Sequence, residues 1–157
     1  MVPYGLNQVQ FASMYQRKLE LHSEHAIETF RKLISLPVQS DVVTAHLEVF
    51  LDEDGGAPSI WVYWHGKNDK VDHKDPGIFP GRSLALELDL GSLATIDERY
   101  FIAPDAFPGL QLSASQLSQW LAESWWKAGG WVYPVPTTLA VHDFEASGSV
   151  QLSKGSR

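Results

Sequence analysis

Hydrophobic and polar residues recur along this chain with two different periods, and the switch between them divides it into helical and extended segments. From about Leu6 to Leu36, residues Tyr15, Leu19, His22, Ala26, Phe30 and Leu33 return at three- and four-residue steps, the spacing that gathers side chains on one helix face. This predicts one long helix or two shorter ones with a core-facing stripe. Pro37 ends the pattern, because proline lacks an amide donor and disfavours helical geometry in the residue before it. Glu20, Glu24 and Glu28 repeat every four residues on another side and read as a solvated acidic ridge.

The period then shortens to two. In VVTAHLEVFL, Val43, Ala45, Leu47, Val49 and Leu51 alternate with Thr44, His46, Glu48 and Phe50, which predicts a strand with one buried face. DEDGGAPS supplies a turn, and IWVYWH a second strand, bulky on both faces and so expected inside the sheet. Leu84, Leu86, Leu88 and Leu90 alternate with Ser83, Ala85, Glu87 and Asp89 in the clearest strand signal of the chain, and RYFIA reads as a further strand. TLAVHDF and SVQL are weaker candidates.

A second helix is expected near residues 113–128. Ser113 and Gln116 have the spacing of a capping box, and Gly129-Gly130 provides a stop. The WVYPVP segment that follows carries Pro134 and Pro136, which favours a sheet edge or the surface. These segments assemble into an α+β fold: an antiparallel sheet of about four to six strands, packed with an N-terminal helix and the second helix. Residues 1–154 read as one domain, and 155–157 as an appended remnant.

Composition narrows the chemistry. The 157 residues are 44% hydrophobic and 11% aromatic, enough for one sizeable core. Cysteine is absent, which removes disulfides, thiolate metal sites and cysteine nucleophiles. Twelve basic against nineteen acidic residues give a net charge of −7, which opposes attraction to phosphate backbones. No nucleic-acid partner is therefore expected. The N-terminus lacks a signal-like apolar run and no segment is long enough to span a bilayer, so no membrane partner and a cytoplasmic location are the expectation.

Motifs for catalysis are weak. His65, Asp69, Asp72, His73 and Asp75 combine imidazole and carboxylate, the donors a divalent ion takes. Lys67, Lys70 and Lys74 interleave with them, however, and no established ligand spacing appears. HSEHA at 22–26 lacks the zincin spacing, and neither a phosphate-binding loop nor a nucleophile elbow is present. No cofactor is expected.

The aromatic content of AESWWKAGGWVYP points instead to recognition. On a helical count, Leu117, Trp120, Leu121, Trp125 and Ala128 share one face, whereas Trp126 lies roughly 180° from Leu117. Tryptophan offers large contact area at small entropic cost and is enriched at binding hot spots. Trp126, with Trp131, Tyr133 and Glu123, is thus the expected binding surface. The chain reads as a non-enzymatic protein-binding domain with a basic protein as partner, in the manner of a small bacterial inhibitor or immunity-type protein. The alternatives are a small metal-dependent hydrolase and a small-molecule-binding protein with a pocket lined by Trp61, Trp64 and Trp120.

Overall fold

A computed structural model describes residues 5–53, 55–67, 82–144 and 148–156. The fold is α+β. Two helices, α1 (Gln8–Glu20) and α2 (Ser23–Ser35), precede strands β1 (Val42–Phe50), β2 (Ser59–Gly66) and β3 (Ser83–Ala85). Helix α3 (Gly109–Lys127) follows, then β4 (Pro136–Val141) and β5 (Val150–Lys154). The strands form one sheet in the order β3-β2-β1-β4-β5.

Three neighbouring pairs are antiparallel, but β1 and β4 run parallel, with Leu47 opposite Leu139. The sheet is therefore mixed rather than purely antiparallel. A parallel neighbour requires a crossover connection, and α3 lies in the stretch that carries the chain back to start β4 beside β1.

The N-terminal periodicity resolves into two helices that part at Leu21 and His22. Asn7 caps α1: its side chain accepts from the Gln10 amide while the Gln10 side chain reaches back to the Asn7 amide, so two otherwise unpaired donors are satisfied. The buried stripe is Phe11, Tyr15 and Leu19 on α1 and Ala26, Phe30 and Leu33 on α2.

Helix α3 starts four residues before the capping box expected at Ser113. Ser113 is 1% exposed and lies within the second turn. The helix opens instead at Pro108-Gly109, where the chain passes against the main chain of Tyr100: a β-carbon on Gly109 would stand 2.0 Å from the Tyr100 carbonyl oxygen. The RYFIA segment forms a short 3-10 turn at Glu98–Tyr100 rather than a strand. In the leucine-alternating segment the strand covers only residues 83–85; beyond it the Leu86 amide donates to the Ile60 carbonyl of β2, and Leu84, Leu86 and Leu88 pack against the core.

Ala45, Leu47 and Val49 of β1 and Ile60, Val62 and Trp64 of β2 join the buried helix residues in one core. Two aromatic groups organise it. Phe11 meets Tyr100, Phe101 and Phe107 at centroid distances of 5.2–5.9 Å, and Trp125 meets Phe30 and Tyr133 edge-on at 5.5 and 5.3 Å. Beneath α1, burial holds the Tyr15 phenol above its ordinary ionisation range.

Candidate functional site

Trp125 and Trp126 take opposite fates at the end of α3. Trp125 is 1% exposed and Trp126 is 41% exposed. Gly129 adopts φ 89° and turns the chain out of the helix, after which a 3-10 turn at Gly130–Val132 leads into the buried Tyr133. The turn lies so close to Trp125 that a β-carbon on Gly130 would stand 2.1 Å from its indole nitrogen.

Trp126 is held by a defect in the sheet. Thr137 pairs with Ser153 and Thr138 with Gln151, leaving Leu152 as the extra residue of a β-bulge. Its carbonyl accepts from the Trp126 indole nitrogen at 3.0 Å. The Ser153 hydroxyl lies 3.1 Å from the Trp131 carbonyl and 2.9 Å from the Tyr133 carbonyl, so the turn carrying Trp131 is clamped to β5. Trp131 is 49% exposed and packs against Trp126 at 66°, centroids 6.5 Å apart. Val132 beside it is exposed.

Glu123 is exposed on α3, three residues before Trp126, and accepts from Gln119. Tyr133 does not join this surface. It is 2% exposed, and its hydroxyl accepts from the Trp64 indole inside the core. Two of the segment's aromatics thus face outward and two inward.

A second constellation lies on the face of the sheet opposite the core. Alternation places His46 and Glu48 of β1 and Thr138 of β4 side by side there. His46 Nδ1 is 2.8 Å from the Thr138 hydroxyl, and His46 Nε2 hydrogen-bonds the Glu48 carboxylate. The other Glu48 oxygen is 3.5 Å from His142 Nδ1. His142 packs on Phe50 at 5.0 Å and is followed by Asp143, whose φ of 66° is uncommon outside glycine. Trp61 and Tyr63 of β2 stack on the same face at 6.4 Å and 20°. The separate residues gave no sequence motif; only the parallel register of β1 and β4 assembles them.

The histidines of HSEHA serve the packing of α2: His22 bonds the Ser92 hydroxyl and His25 the Glu87 carbonyl. His65 is exposed at the end of β2, whereas Asp69, Asp72, His73 and Asp75 lie outside the described residues. No three acidic or histidine side chains among the described residues are arranged to hold a metal ion. Trp61, Trp64 and Trp120 do not share a pocket: Trp61 lies on the outer face, Trp64 bonds Tyr133, and Trp120 bonds Ser23. A hollow of about 380 Å³ between α2 and the β3 segment contains His25 and Glu87, but the imidazole there meets a main-chain carbonyl and not the carboxylate.

No protein family, curated protein or solved structure matches this chain. Among the described residues no helix is long and apolar enough to cross a membrane.

Proposed function

We propose that this protein is a protein-binding domain that docks through the Trp126–Trp131 edge at the end of α3. The observation that carries this reading is the exposure of two large aromatic rings whose positions are already fixed, Trp126 by the Leu152 carbonyl and Trp131 by the Ser153 clamp on its main chain. Anchors ordered before encounter lose little further entropy on binding. Exposed Val132 extends the apolar contact and Glu123 provides a polar rim, the division found at protein interfaces. The net charge of −7 favours a basic partner through complementary fields. A small bacterial inhibitor or immunity-type protein, acting in the cytoplasm on a basic enzyme, is the concrete form of this proposal.

Trp131→Ser tests it, because this side chain is half-exposed and its main-chain clamp does not depend on the ring. Immobilised wild-type protein should retain a partner from a lysate of cells that produce it, and Trp131→Ser should lose that partner while keeping the same thermal midpoint. Equal retention by both proteins, or retention by neither, would count against this edge as the docking site.

A further inference from the structure

The outer face of the sheet carries a hydroxyl, an imidazole and a carboxylate in sequence, and the binding surface at α3 makes no use of them. Glu48 is only 13% exposed in its side chain and His46 is 27% exposed, so this contact is more sheltered than an ordinary surface pair. With Glu48 ionised, a neutral His46 carries its proton on Nε2 and donates it to the carboxylate. Nδ1 is then left as a lone-pair acceptor facing the Thr138 hydroxyl at 2.8 Å. This is the order of groups that activates a hydroxyl nucleophile. The second Glu48 oxygen lies 3.5 Å from His142 Nδ1, and the small Ala140 stands opposite Glu48 on β4.

We propose that Thr138 is an acyl acceptor, with His46 as its base and Glu48 as the positioning residue. Thr138 is half-buried, not enclosed in the core. In the step, Thr138 Oγ1 bonds to the acyl carbon as its proton passes to His46 Nδ1. The carbon–leaving-group bond then breaks, the leaving group departs with that electron pair, and the proton on Nδ1 passes to it or to water. A threonine ester remains. Because β4 is an interior strand flanked by β1 and β5, its amides point along the sheet toward those neighbours rather than out of the face that carries Thr138. The substrates are therefore activated acyl esters, whose good leaving groups need least oxyanion stabilisation.

The full chain would be incubated with p-nitrophenyl acetate and examined by intact mass and peptide fragmentation. One acetyl group on Thr138 is expected, absent in the near-isosteric Thr138→Val. His46→Gln and Glu48→Gln should each slow acetylation of Thr138 by about tenfold or more, the least that a positioned base contributes being larger still. Added imidazole should restore the rate in His46→Ala, a rescue that a purely structural role would not give. Acetylation confined to lysines, histidines or the N-terminus would overturn the proposal, as would an unchanged Thr138 rate in His46→Gln. Should Glu48→Gln fail to fold, Thr138→Val and the imidazole rescue decide the matter.

Discussion

The two faces of the sheet solve the problem of buried polar groups in opposite ways. On the inner face polar atoms are few: among the described residues the Trp125 indole nitrogen is buried without a hydrogen-bond partner, and the Tyr15 phenol, beside Ser113, is held neutral chiefly by burial among apolar residues. On the outer face, Thr138, His46, Glu48 and His142 satisfy one another in a chain across β1 and β4. Close packing governs the first face and pairing governs the second. An isolated buried polar group costs free energy that only surrounding contacts can offset, so the inner face should be the more sensitive to changes of volume.

Trp125 and Gly130 give that contrast its largest test. Removing the fully buried ring in Trp125→Ala should cost about 3–5 kcal/mol, read as a lower denaturation midpoint in urea. Gly130→Ala adds a single methyl group against the same indole, 2.1 Å from its nitrogen, and overpacking of this kind costs about 1–3 kcal/mol. Loss of less than about 1 kcal/mol in both variants would mean that the interior yields more readily than its contacts indicate.

Tyr15 separates the faces by pH. Its folded pKa is raised above the unfolded value, so the stability it supports is intact below about pH 10 and is lost as the pH climbs through the unfolded pKa toward the folded one. Each pH unit in that window removes about 1.4 kcal/mol. Urea titrations between pH 9 and 11 should show this fall in wild type, and Tyr15→Phe should flatten it by about one proton's worth. An identical slope in both proteins would show that the phenol ionises without opposing the fold.

How much of this was legible in the sequence depends on the range of the interaction. The stripe Tyr15–Leu19–Ala26–Phe30–Leu33, the β1–β2 hairpin and the burial of Trp120 and Trp125 follow from local period, which a helix or strand converts directly into a buried face. Ser113 misled because a capping box is only four residues of pattern, and the close approach of Gly109 to Tyr100 sets the helix start instead. Tyr133 reads as exposed beside two prolines, yet its partner Trp64 is 69 residues away. Thr138, His46 and Glu48 were invisible for the same reason: a hydrogen bond between residues 92 positions apart depends on strand order, and no local signal specifies that β4 returns parallel to β1.

Trp126 stands between the two regimes and has the smallest predicted effect. Its ring is only partly buried, so little apolar burial is at stake, but its N–H donates to the carbonyl of Leu152, the extra residue of the bulge. Trp126→Phe keeps most of the ring and deletes that donor. The loss should be about 1 kcal/mol, the net value of one hydrogen bond, accompanied by faster amide exchange around Leu152 and Ser153 as the bulge loosens. If Trp126→Phe is as stable as wild type and exchange is unchanged, water replaces the indole without cost. The ring would then be held by its packing on Trp131 alone, and its retention at the surface would need the binding role more than the fold does.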